Sequence, residues 1–301
     1  MRLVVTLLVR DEIDIVAATI EHFLDQGAAH LLVTDNGSVD GTRGVVEEYV
    51  ATGRVSVIDE PDHTFRQSHW VTRMARVAAT EHGADWVINA DADEFWVPKD
   101  RTTLAASLAA VGPEHALIQA RRTDLLGVRG ARGHWSRRLV WRDLLTLSAR
   151  GTPRLPKVAH RADPGIVVAQ GNHEVDPAGA VFPLEPWDLY HVPLRSWPQF
   201  ERVIVNGGSA YAANTELEPH YGWHWREDYE RYLAGTLRAE YESRLPTRRT
   251  LLGRVRAGEV RRDPFLRDHL RGLRSRALHP DLLAAALGRP AGSQGSLPDG
   301  R

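Results

Sequence analysis

Residues 86–95 read Trp86-Val-Ile-Asn-Ala-Asp91-Ala-Asp93-Glu-Phe95, an apolar run that ends in closely spaced acids. Such a run is typical of a strand that is buried on both faces. Because residues i and i+2 of an extended chain point the same way, Asp91 and Asp93 are expected to face one point at the carboxyl end of this strand. In open α/β sheets, ligands bind at that edge.

Two carboxylates held this close repel each other unless a positive charge lies between them. Mg²⁺ or Mn²⁺ would supply that charge, because hard divalent cations prefer oxygen ligands and can also bind phosphate oxygens. The alternative is that Asp91 and Asp93 are exposed turn residues that cap a helix. Their position after a buried strand favours the metal site.

The first 125 residues alternate predicted strands with predicted helices. Apolar positions at helical spacing, such as Trp70, Met74 and Val77, predict the helices, and short apolar runs predict the strands. Repeated strand–helix–strand units predict an α/β fold in which a mainly parallel central sheet is flanked by helices. A later helix is predicted to break at Gly207-Gly208. The predicted strands cover residues 3–9, 31–34, 55–58, 86–90 and 116–120.

Composition excludes several classes of protein. The 301 residues are 43% hydrophobic, enough for a sizeable core, and the net charge of −1 argues against a bulk nucleic-acid binder. The chain has no cysteine, which excludes disulfides, thiolate metal sites and a thiol nucleophile. The apolar run at residues 3–9 is far shorter than the roughly 20 residues that span a bilayer, and it lacks a cleavage-like site. We therefore expect no signal peptide and a cytoplasmic location.

The paired acids suit a reaction in which a nucleotide diphosphate is the leaving group. A cation bound there would stabilise the negative charge that develops on the phosphates. The sequence has no G-x-x-x-x-G-K-[ST] loop and no G-x-G-x-x-G after the first strand. Phosphate binding would therefore need a metal ion or a basic cluster.

Three segments resemble the family 2 glycosyltransferases and their divergent relatives. Residues 5–12 (Val-Thr-Leu-Leu-Val-Arg-Asp-Glu) resemble the first strand and acidic loop of that family, and residues 33–42 (Val-Thr-Asp-Asn-Gly-Ser-Val-Asp-Gly-Thr) resemble its second-strand signature. Residues 89–95 resemble its D-x-D element, and the likeness covers roughly residues 1–125. The resemblance implies a GT-A fold, a nucleotide-sugar donor, usually Mn²⁺ or Mg²⁺, and inversion at the anomeric carbon.

The resemblance also implies roles for single residues. Asp91 would lie near the ribose or the metal, and Asp93 would bind the metal directly. Asp35 would accept hydrogen bonds from the base or the ribose, although Asp35-Asn-Gly-Ser also suits a simple turn and helix cap. Asp11 departs from the family, which often has Asn there. The backbone around Thr6–Val9 and the side chains of Arg10, Glu12 and Asp35 would line the nucleoside pocket.

An inverting transfer needs a general base that takes the proton from the attacking hydroxyl. We favour Glu174, which follows His173 in a loop with no obvious core role, and Asp188 is the second choice. The other carboxylates considered are Asp124 and Glu185.

Two further side chains are candidates for the diphosphate and its metal. His191 follows a short apolar strand and would complete the metal site, which favours Mn²⁺ over Mg²⁺. The alternatives are a half-buried, hydrogen-bonded His191, or His173 as the ligand. Arg73 lies three residues after Trp70 and would approach the diphosphate, unless it belongs to a solvated helix face. Arg195 is a further candidate for a bidentate phosphate contact.

The chain is predicted to have four parts. Residues 1–125 form the nucleotide-sugar-binding half and residues 126–243 the acceptor-binding half of one domain; residues 244–287 form a basic helical extension, and residues 288–301 a disordered tail. Residues 244–276 hold eleven Arg against three acids, which suits peripheral contact with an anionic membrane or, alternatively, a solvated helical pair. The predicted partners are a nucleotide-diphosphate sugar and a hydroxyl acceptor.

Two other functions stay open at this point. A nucleotidyltransferase on a related sheet usually has a basic, glycine-rich loop after the first strand, where this chain has Arg10-Asp-Glu-Ile13. A non-catalytic module that binds a nucleotide or a carbohydrate is excluded by no residue.

Overall fold

The computed structural model describes residues 1–62, 66–145, 147, 151–177, 179–183, 185–214 and 222–289. Its strands are β1 (Leu3–Val9), β2 (His30–Asp35), β3 (Val55–Asp59), β4 (Trp86–Asp91), β5 (Glu94–Pro98), β6 (Leu117–Leu126), β7 (Trp141–Asp143), β8 (Lys157–Arg161), β9 (Val167–Val168), β10 (Val175–Asp176), β11 (Trp187–His191) and β12 (Val260–Arg262). Its helices are α1 (Val16–Asp25), α2 (Thr42–Val50), α3 (Gln67–Thr80), α4 (Leu104–Ala109), α5 (Trp135–Arg138), α6 (Trp197–Ala213), α7 (Trp223–Leu233), α8 (Leu237–Arg244), α9 (Arg248–Arg256), α10 (Phe265–Leu273) and α11 (Pro280–Ala286).

One large mixed sheet organises the described residues, in the order β12-β7-β6-β8-β4-β1-β2-β3, with β11 pairing β6 and β5. Strands β4, β1, β2 and β3 are parallel to one another. Strand β8 is antiparallel to both β4 and β6, so β6 runs in the direction of β4. The carboxyl ends of β1, β2, β3, β4 and β6 therefore lie at one edge, together with the amino end of β8.

Helices cover both faces of the parallel half of the sheet. Successive β1 residues point to opposite faces: Val5 and Leu7 belong to the large apolar cluster on the α1 side, and Val4 belongs to the cluster on the α3 side. Burial on both faces explains why the strand is a continuous apolar run. The predicted α/β fold, with a mainly parallel central sheet flanked by helices, is confirmed.

Helix α6 differs from its prediction because it continues through Gly207 and Gly208. A Cβ atom at Gly207 would collide with Trp225, and one at Gly208 would collide with Tyr229, both of which lie on α7. The glycines therefore let α6 and α7 pack closely, and they do not end the helix.

The carboxyl-terminal helices are part of the main core. Leu266, Leu270 and Leu283 are buried in the large cluster on the α1 side. The Glu21 carboxylate on α1 also accepts hydrogen bonds from the backbone N–H groups ahead of α11. The predicted extension at residues 244–287 is thus packed against the sheet domain, and residues 290–301 of the predicted tail lie outside the described residues. Over the part of the chain that is described, no helix combines the length and the apolar character needed to cross a membrane.

Candidate functional site

Charged side chains in or just after four strands meet at the carboxyl edge of the parallel strands. Asp91 is the last residue of β4 and Asp93 lies two residues after it, and His191 ends β11 beside them. Strands β6 and β8 add Asp124 and Lys157, because β6 runs with β4 while β8 runs against it. Edge position alone explains why residues so distant in sequence become neighbours.

The first group at this edge is a chain of contacts through His191. Its Nε2 atom lies 3.3 Å from Asp93 Oδ2, and its Nδ1 atom lies 2.7 Å from Asp124 Oδ1. The register of β11 and β6 places His191 directly opposite Asp124. Burial by itself would lower the pKa of His191, but the two carboxylates outweigh it and raise the pKa. The same contacts hold the pKa of Asp93 and Asp124 below the usual range, against the opposing effect of burial.

Two side chains of this group, Asp93 and His191, could hold a divalent cation. Asp93 and His191 present an oxygen and a nitrogen at neighbouring positions, and Asp124 fixes the second ring nitrogen, which is how carboxylates orient metal-binding histidines. An imidazole ligand favours Mn²⁺ over Mg²⁺. Two of the three predicted ligands are therefore brought together. Within the described ranges, no group of three or more His, Asp or Glu side chains has the arrangement of a metal site.

The third predicted ligand, Asp91, belongs to a second group. Its Oδ2 atom lies 2.7 Å from Lys157 Nζ, and the same ammonium lies 3.2 Å from Glu94 Oε1. Burial by itself would lower the pKa of Lys157, but these two carboxylates raise it. Asn172 Nδ2 donates weakly to the other oxygen of Asp91, at 3.4 Å. Sequence reasoning missed Lys157, although only two of the 38 Lys and Arg residues are lysines.

The residues after β1 and β2 lie at the same edge but are held by protein contacts. Glu12 is ion-paired with Arg195, which is fully buried and also contacts Asp14 at 2.9 Å. Arg195 is therefore inaccessible to the phosphate contact considered for it. Asp35 accepts the N–H of Ser38 at 3.1 Å and also its hydroxyl, which is the turn and cap arrangement.

Three other predicted nucleotide-binding residues have defined partners. Arg10 Nη1 donates to Asn36 Oδ1 at 3.3 Å, and Arg73 Nη2 lies 3.0 Å from Glu60 Oε2. Thr6 is 1% exposed, and its hydroxyl donates to Asn89 at 2.7 Å inside the sheet. The side chain of Thr6 is thus in the core and does not reach the edge.

Asp188, the second choice for the base, lies away from Asp91 and Asp93, and this placement corrects the prediction. Side chains alternate along β11, so Asp188 and His191, three residues apart, point to opposite faces of the sheet. Asp188 Oδ1 instead accepts from Arg142 Nη2 at 2.7 Å. Glu174 is exposed on the loop before β10, two residues after the Asn172 that contacts Asp91.

Residues 5–129 match the model of glycosyltransferase family 92. The predicted enzyme class, a glycosyltransferase, is confirmed by this match. The matched region is less than half of the chain and contains all the segments that resemble family 2, an assignment that stays a prediction. No curated protein matches the chain.

Solved structures give a more distant similarity. TarS of S. aureus (residues 1–349, in complex with UDP-GlcNAc) has a TM-score of 0.42 and 14% identity, over 79% of this chain and 72% of that one. Glucosyl-3-phosphoglycerate synthase from Mycobacterium tuberculosis, in complex with Mn²⁺ and UDP-glucose, has a TM-score of 0.29 and 19% identity, over 40% of this chain and 43% of that one. Scores of this size establish neither a ligand nor an activity for this chain.

Proposed function

We propose that this chain transfers a sugar from a nucleotide-diphosphate sugar to a hydroxyl acceptor, with a divalent cation held by Asp93 and His191. The observation that carries the proposal is the Asp93–His191–Asp124 arrangement at the carboxyl edge of the sheet. It lies within or beside the segment that matches a glycosyltransferase family. Residues 1–125 would bind the donor and residues 126–243 the acceptor.

The proposed reaction forms one bond and breaks one. The acceptor oxygen attacks the anomeric carbon, the bond from that carbon to the diphosphate breaks, and a base takes the hydroxyl proton. When bound, the cation would stabilise the negative charge that gathers on the departing diphosphate. Inversion at the anomeric carbon follows if the transfer is a single displacement.

Glu174 is the proposed base. It is exposed, so an acceptor hydroxyl can reach it, and its loop contacts Asp91 through Asn172. Asp188 is not proposed, because it lies on the other face of the sheet in an ion pair with Arg142. The substitution Glu174→Gln should lower kcat by a factor of about 10²–10⁴ and leave donor binding unchanged.

A thermal-shift screen of nucleotide diphosphates with and without Mn²⁺ tests the proposal. A nucleotide at 100 times its Kd should stabilise the folded chain by about 2.7 kcal/mol. Asp93→Ala should abolish the part of the shift that needs Mn²⁺. The matched control is Asp85→Asn, because Asp85 immediately precedes β4 at the opposite edge of the sheet. No shift with any nucleotide would reject the proposal.

Turnover assays separate this function from the other two. Release of pyrophosphate from a nucleoside triphosphate would indicate a nucleotidyltransferase. A nucleotide-dependent thermal shift without hydrolysis or transfer of any donor would indicate a binding module.

The cytoplasmic location and the peripheral membrane contact are part of the proposal. Helix α9 exposes Arg248, Arg249 and Arg256, which provides a basic surface for an anionic bilayer. Co-sedimentation with phosphatidylserine vesicles should fall when all three are replaced by Gln.

A further inference from the structure

Lys157 is a fully buried charge at the carboxyl edge whose role the proposed chemistry does not explain. It is 1% exposed at the amino end of β8, and its ammonium contacts Asp91 and Glu94 at 2.7 and 3.2 Å. Glu94 is itself 0% exposed. The next cation near Glu94 is Arg122, whose Nη1 lies 4.0 Å from the same oxygen.

Burial makes this contact a necessity. An ionised carboxylate removed from water is costly unless it is paired and hydrogen-bonded. Asp91 and Glu94 would repel each other without a positive charge between them. The sequence-based prediction placed a metal ion between Asp91 and Asp93, whereas in the structure the positive charge next to Asp91 is that of Lys157.

The choice of lysine is also informative. The chain uses arginine almost everywhere, and its two lysines are Lys99 and Lys157. An ammonium is a compact point charge, whereas a guanidinium is a planar fork that needs more room. Lysine is therefore the basic side chain that most resembles a small cation in a closed space between two carboxylates.

We propose that Lys157 is a resident cation of this site: its ammonium, and not a metal ion, neutralises Asp91 and Glu94. A divalent cation then has Asp93 and His191 as its protein ligands, and Asp91 is not among them. Lys157 touches neither substrate nor metal, so it is a positioning residue. The metal part of this inference rests on the proposed function and concerns the same site.

Counting Mn²⁺ by electron paramagnetic resonance, without nucleotide, tests the inference. In the full chain, Asp93→Asn should weaken Mn²⁺ binding at least about tenfold, while Asp91→Asn should change it less than about threefold. Lys157→Met should lower the Tm by on the order of 10 °C, since it leaves the buried Glu94 and the partly exposed Asp91 without their ammonium partner. Mn²⁺ should restore part of that loss and bind one additional ion per chain. Lys99→Met is the matched control and should show neither effect.

Each outcome decides the question. Equal weakening by Asp91→Asn and Asp93→Asn would overturn the proposal, and so would a Lys157→Met chain that gains no Mn²⁺. If Lys157→Met does not fold, Glu94→Gln combined with Lys157→Met takes its place, because it removes one buried charge together with the lysine. If the wild-type chain binds no Mn²⁺ but the lysine variant does, the resident cation is supported and the metal part of the proposed function fails.

Discussion

The substitution Asp124→Asn isolates the contact that orients His191. Asp124 Oδ1 lies 2.7 Å from His191 Nδ1, and Asn keeps the size of the side chain while it removes the negative charge. Loss of such an orienting carboxylate typically weakens metal binding 10- to 100-fold, which corresponds to about 1.4–2.7 kcal/mol. Because Asp124 is not proposed to contact the substrate, saturating Mn²⁺ should restore kcat.

The assay is activity measured against Mn²⁺ concentration, together with direct Mn²⁺ titration of the free chain. Alkaline pH is preferable, because Asp93 and Asp124 raise the pKa of His191 and a bound proton competes with the metal. Arg154 also contacts Asp124, at 3.3 Å, so Arg154→Gln is the control for loss of that ion pair. An unchanged Mn²⁺ affinity in Asp124→Asn, or an equal loss in Arg154→Gln, would refute this account of His191.

Three further predictions concern stability. Gly208→Ala should destabilise the chain by about 1–3 kcal/mol in denaturant unfolding, whereas Gly44→Ala, whose Cβ meets nothing within 4 Å inside α2, should be neutral or stabilising. Asp188→Asn should lower the free energy of unfolding by about 3 kcal/mol, because it weakens the ion pair of the buried Arg142. Nucleotide binding should stay intact, and its loss would contradict the placement of Asp188. Burial lowers the pKa of His22, and the neighbouring His269 adds to the effect. On acidification the unfolded chain therefore takes up a proton that the folded chain does not, so the Tm should fall as the pH drops below about 6.5. A Tm that does not change with pH in this range would oppose the prediction.

The parallel half of the fold follows directly from sequence patterns. The runs at residues 3–9 and 86–90 are apolar on both faces because helices cover the sheet on both sides. This burial fixes where each strand ends, so the edge that holds Asp91 and Asp93 could be predicted. The match of residues 5–129 to a glycosyltransferase family agrees with the predicted enzyme class.

The antiparallel half could not be predicted in the same way. Strand β8 lies between β4 and β6, and its five residues do not predict that pairing. The contact between Lys157 and Asp91, which are 66 positions apart, could therefore not be predicted from the sequence around either residue. Asp188 shows a different limit. Alternation along β11 predicts that Asp188 and His191 point to opposite faces of the sheet. Which of these faces carries the site depends on the strands that pair with β11, and the sequence does not reveal them.

The glycine pair in α6 shows how tertiary packing can override a local preference. Local preference makes Gly207-Gly208 a helix breaker, and that preference was followed in the prediction. The contact with Trp225 and Tyr229 overrides it, because only a residue without a Cβ atom lets α7 approach this closely.

The leucines of α10 and α11 that pack against α1 have a practical consequence. A chain shortened after residue 243 would lack Leu266, Leu270 and Leu283 and would expose the apolar surface of α1 that α10 and α11 cover. Such a fragment should aggregate even though its catalytic edge is complete in sequence. Expression of residues 1–243 by themselves is therefore expected to fail unless this surface is first made polar.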